Sequence, residues 1–134
     1  MDQTRPGALE LYGKVKAALA ALNSGLTMVA VPDHLASDLA DIGVESATEF
    51  WAILPDLLRE LDAAGPGGCY AGWRPDPEKS GEPLVKGLKL WAFAWDSQRL
   101  GFEVYLKFCL VPTRAGEMCY GHVRIHTNRP PSTT

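Results

Sequence analysis

Three stretches decide how this chain folds: Leu88–Trp95 (LKLWAFAW), Phe102–Val111 (FEVYLKFCLV) and Met118–Thr127 (MCYGHVRIHT). Apolar residues recur at every second position for most of each stretch. That period belongs to strands, whose side chains point alternately to opposite faces. In the middle stretch Phe102, Val104, Leu106, Phe108 and Leu110 share one face, and Glu103, Tyr105, Lys107 and Cys109 share the other. In the last stretch the apolar set reads as Cys119, Val123 and Ile125, with Tyr120, His122, Arg124 and His126 opposite. If the apolar sets meet in one core, Tyr105, Lys107, His122, Arg124 and His126 gather on the other face.

Upstream of this meander the chain reads as helices. Pro6–Asn23 carries Leu9, Tyr12, Val15, Leu19 and Leu22 at helical spacing and ends before Gly25. Leu26–Val31 is a short β-type run that fits an edge strand or an extended connector. Asp33 is placed to cap a helix running to Ile42, with Gly43 just past its end. Ser46 followed by Glu49 forms a capping box for a helix bearing Phe50, Trp51, Ile53, Leu54, Leu57, Leu58 and Leu61. Pro55 is expected to bend or divide that helix. Its acids Asp56, Glu60 and Asp62 read as a solvated face. Cys69–Trp73 is a short strand candidate, and Arg74–Pro83 (RPDPEKSGEP) a loop. The order implies an α+β two-layer domain over residues 1–127, helices on an antiparallel sheet, with 128–134 (NRPPSTT) as a flexible tail.

Composition narrows the function. A chain of 134 residues that is 46% hydrophobic can build one globular core. No apolar run is long enough to span a bilayer, and no basic-then-hydrophobic leader opens the sequence, so a cytosolic protein is expected. Three cysteines at irregular spacing favour neither a disulfide framework nor a zinc knuckle. Cys109 and Cys119 are expected on opposite sides of the sheet. Net charge is −3 but uneven: residues 1–67 hold ten acids and four bases, and residues 68–134 hold six acids and nine bases. An acidic helical half on a basic sheet half points to an anionic partner for the sheet.

The sheet face can handle a phosphate. A tight turn near Arg114–Gly116 pairs Lys107 with Arg124 and Tyr105 with His126, or, shifted by two, Lys107 with His122 and Tyr105 with Arg124. Either register sets cations side by side, which is unfavourable unless an anion neutralises them. Cleaving RNA without metal needs a base for the 2′-hydroxyl, a cation for the phosphorane and an acid for the leaving oxygen. Histidine, tyrosine, lysine and arginine can fill those roles. Trp91 and Lys89 would extend the surface as a stacking platform with a phosphate clamp, and Arg74 and Lys86 would position the strand. A metal is not expected. On a strand His122 and His126 would stand roughly 13 Å apart, and no nucleophile elbow, P-loop or dinucleotide fingerprint is present.

Val104–Lys107 (VYLK), preceded by Leu90–Phe93 (LWAF) and followed by Val123–His126 (VRIH), resembles the C-terminal signature of the motility quorum-sensing regulator toxins. Asp38–Gly43 (DLADIG) resembles the short helix before their sheet. The resemblance spans about Leu35 to His126. It implies a RelE-like α+β fold and a metal-independent mRNA interferase needing no cofactor, held inactive by a cognate antitoxin protein, with messenger RNA, ribosome-bound or free, as substrate. By position, Tyr105 matches a sheet tyrosine of the active site and His126 the basic residue of the final strand. His126 would then be the general acid or base, Tyr105 would orient or protonate, and Lys107 and Arg124 would stabilise the phosphorane. The competing expectation is a non-catalytic interaction module, antitoxin-like or inhibitory, that binds protein through exposed Trp91, Phe93 and Trp95.

Overall fold

The computed structural model describes residues 6–72 and 88–127. The loop reading of Arg74–Pro83 and the tail reading of 128–134 lie outside them. Helix α1 spans Ala8–Asn23, strand β1 Thr27–Val29, helix α2 Leu35–Asp41 and helix α3 Ala47–Ala64. A short helix α4, Pro66–Cys69, leads into β2, Tyr70–Gly72, and the meander follows as β3, Trp91–Ser97, β4, Phe102–Pro112, and β5, Met118–Thr127. The five strands form one sheet in the order β1-β5-β4-β3-β2. Neighbours are antiparallel except β1, which runs parallel to β5. The fold is therefore the α+β two-layer domain the pattern implies, and Leu26–Val31 supplies its edge strand.

Helices α1 and α3 cover one face. Helix α3 turns Phe50, Ile53, Leu54, Leu57, Leu58 and Leu61 inward as its sequence dictates. Its capping box forms with a variation: Ser46 accepts from the Glu49 amide, while the Glu49 carboxylate reaches back to the Glu45 amide. Pro55 does not divide the helix, which runs unbroken past it. Ahead of α2, Asp33 sits in a 3₁₀ turn, Pro32–His34, and makes no cap bond; the helix starts only at Leu35. Helix α1 buries Leu11, Val15, Ala18 and Ala21, and leaves Leu9 and Tyr12 exposed. The expected stripe was thus rotated towards the larger residues. Alanine carries no bulk, so it marks the face where α1 approaches its neighbours closely.

The third strand departs most from its expected pattern. Lys107 pairs with Arg124 and Phe108 with His122, which leaves Val123 as an extra residue in β5. Such a bulge inverts the facing of everything beyond it. On the Met118 side Tyr120 and His122 point into the helical core, whereas on the Thr127 side Ile125 points in and Arg124 and His126 point out. Cys119 consequently joins Cys109 on the outer face, contrary to the opposite sides expected. Gly121, also outward, lies beneath Cys109 and Val111: a Cβ there would meet the Cys109 Sγ at 2.8 Å. Around them Ala30, Val31, Leu90 and Val123 form a small second apolar cluster.

Candidate functional site

The bulge divides the expected constellation. Tyr105, Lys107, Arg124 and His126 do come together on the outer face, in the first of the two registers considered. Tyr105 and His126 stack, ring centroids 4.8 Å apart at 20°. His126 Nδ1 lies 2.9 Å from the Thr127 carbonyl oxygen. A carbonyl can only accept, so Nδ1 carries a proton, and Nε2 is the nitrogen that holds the lone pair whenever the ring is neutral. Beside this pair the Lys107 side chain lies across from Arg124.

His122 does not belong to that face. It is fully buried between Phe50, Trp51 and Tyr120, and shares a 3.1 Å hydrogen bond with the Tyr120 hydroxyl through Nδ1. Its Nε2 has no partner. Burial pushes its pKa down to about 4, so the ring is neutral at physiological pH. It is a core residue and not a substrate contact.

Trp91 is likewise a correction. It is 4% exposed, in the core with Phe93 and Trp95 under the helices, and offers no stacking platform. Lys89 is exposed and sets its ammonium 5.3 Å from the Trp91 ring centroid, as Lys14 does from α1. The burial of Trp91, Phe93 and Trp95 also removes the exposed aromatic surface on which an interaction module was expected. Arg74 and Lys86 lie outside the described residues.

The sequence reading missed the partner of Arg124. Asp38 on α2 is 3% exposed and takes Arg124 Nε and Nη2 at 2.8 and 2.9 Å, one to each carboxylate oxygen. The same carboxylate accepts the Ile125 amide at 3.1 Å. One turn on, Asp41 accepts the Thr127 amide at 2.7 Å and its hydroxyl at 3.0 Å. These amides stand on the edge of β5 beyond the reach of three-residue β1, where a sheet would leave them without acceptors. Two carboxylates three residues apart on α2 thus finish the edge. The pair also neutralises Arg124, so an internal anion relieves the cross-strand repulsion with Lys107 that had pointed to an external one.

Glu60 was also misread as solvated. Trp95 Nε1, the Ser97 hydroxyl and the Arg99 amide donate to it at 3.1, 2.7 and 2.8 Å. Burial opposes its ionisation, yet these donors outweigh burial and hold the carboxyl below its usual range. It fastens the β3–β4 turn to α3.

Among the described residues no three histidine, cysteine, aspartate or glutamate side chains converge as a metal site requires. All three cysteines are free thiols, and burial lifts Cys109 to about 11, far from a reactive thiolate. No helix among them is long and apolar enough to cross a membrane. Compared with protein-family models, with curated proteins and with solved structures, the chain matches none.

Proposed function

We propose that the chain is a cytosolic, metal-independent endoribonuclease that cuts single-stranded RNA at the Tyr105–His126 pair. The observation that carries this reading is the Nδ1 hydrogen bond of His126 to the Thr127 carbonyl. It fixes the ring and leaves Nε2 as the basic atom, the state a general base needs. In the reaction His126 Nε2 takes the proton of the 2′-hydroxyl, whose oxygen attacks phosphorus. The 5′-oxygen leaves with a proton from Tyr105, and a 2′,3′-cyclic phosphate remains. Lys107 supplies the positive charge for the phosphorane. Arg124, committed to Asp38 through two nitrogens, acts here by holding the strand beside His126.

The resemblance to the motility quorum-sensing regulator toxins supports the same chemistry and implies a cognate antitoxin as its inhibitor. The test is a labelled RNA incubated with the protein in excess chelator, beside His126→Ala and Tyr105→Phe variants whose folding circular dichroism has verified. Wild type should leave 2′,3′-cyclic ends, spare a 2′-deoxy substrate, and lose at least about a hundredfold in rate with His126→Ala. Cutting of the deoxy strand, or cutting by both variants at the wild-type rate, would refute it.

A further inference from the structure

Helix α2 has a second side that the outer-face site does not use. Asp38 and Asp41 point to β5, while Leu35, Ala36, Leu39 and Ala40 face the other way and line a cleft of about 780 Å³. Pro32 also lines it, as do Val44, on the connection into α3, and Ala47, the first residue of α3. Ala36, Ala40 and Ala47 are exposed, and Leu35 is half-exposed. Small residues along both walls make a shallow trough, and its α2 side is about 10 Å long at 1.5 Å per residue. That matches two turns of an incoming helix, enough for apolar anchors at i and i+4.

The charge around the trough is of one sign. Glu45 lines it, and Asp33 and Glu49 stand exposed on the segments that wall it. From Ser24 to Leu58 the chain has six acids and neither lysine nor arginine. Two of the six, Asp38 and Asp41, are spent on β5, and Asp56 pairs with Arg59 and Arg99 further along α3; Asp33, Glu45 and Glu49 remain on the segments that form the trough. An acidic rim around an apolar floor is complementary to a helix with an apolar stripe flanked by lysines or arginines.

We propose that this trough docks a cationic amphipathic helix of a partner protein, independently of whether the outer face cuts RNA. The probe is a fluorescein-labelled synthetic helix with leucines on one face and lysines on the other, titrated with the full chain and read by anisotropy. A matched helix with glutamates in place of the lysines serves as comparison. The lysine helix should bind at least about tenfold more tightly than the glutamate helix. Asp33→Lys with Glu45→Lys, and separately Ala40→Lys, should each weaken it about tenfold, while Glu117→Lys in the β4–β5 turn should not. Amide shifts on binding should cluster between residues 32 and 47. Equal binding of both helices, or loss caused equally by Glu117→Lys, would overturn the proposal. So would a dimer of the unliganded chain that Ala40→Lys dissolves, since a second copy would then own the trough.

Discussion

His122 is the residue whose behaviour differs most from its appearance in the sequence. Its folded pKa of about 4 lies below the ordinary 6.5 because burial penalises the imidazolium, with Arg124 adding to that and Asp38 partly offsetting it. The unfolded chain therefore binds a proton that the native state refuses. Stability should be independent of this group above pH 6.5 and fall steadily as pH drops towards 4, by about 3 kcal/mol over that window. Urea midpoints at pH 7 and pH 4.5 measure the fall. His122→Phe, which keeps an aromatic ring against Phe50 and Trp51 and removes the orphaned Nε2, should shrink it. A difference between the two midpoints that stays the same in the variant would show that another group titrates. Nothing in MCYGHVRIHT separates His122 from His126, because regular alternation places both on one face. Only the extra residue at Val123 sends them to opposite sides.

At the scale of elements, α2 is a short helix whose placement depends on two carboxylates. Its seven residues are too few to persist by themselves. Its ties to β5 hold both partners: α2 gains an anchor and the edge amides gain acceptors. Asp38→Ala should cost about 2–3 kcal/mol, somewhat below the usual figure for a broken buried pair because Arg124 keeps a third of its side chain in solvent. Asp41→Ala, at an exposed position, should cost less. Hydrogen exchange resolves the two: the Ile125 amide should lose protection in the first variant and the Thr127 amide in the second. Unchanged protection at both would mean that the edge is closed in some other way. The elements themselves were largely legible. The meander, α3 and its Ser46 start follow from periodicity and capping chemistry, which are local. The Asp38–Arg124 pair is not local, for its members stand 86 positions apart, and DLADIG reads like any acidic helix turn. Glu60 was hidden for the same reason, since its donors come from a turn nearly forty residues later.

Across the whole molecule, charge is segregated, but pairing reduces what each side offers. On the outer face Asp38 cancels Arg124, and Lys107 is the cation that the proposed reaction sets against the phosphate. One cationic contact to a single strand should give a shallow salt dependence, with log K falling by about 0.7 per tenfold rise in salt. Titrating a non-cleavable 2′-deoxy or 2′-O-methyl strand across a salt series measures it. A slope several times steeper would require a larger basic surface than the described residues of the outer face provide. The site was legible as a set of residue types and as one of two registers. Its depth was not, because whether Trp91 stacks on a ligand or on the core depends on helices elsewhere in the chain.

Strand β5 lies between β4 and β1 and so joins the N-terminal strand to the meander. During synthesis it leaves the ribosome after every element it must join. Until then β1 has no neighbour, the aspartates of α2 have no amides to accept, and the inner rings of β3 and β4 lack one flank of their core. The nascent domain should therefore stay open to proteases until the chain has emerged to about Thr127, and close only then.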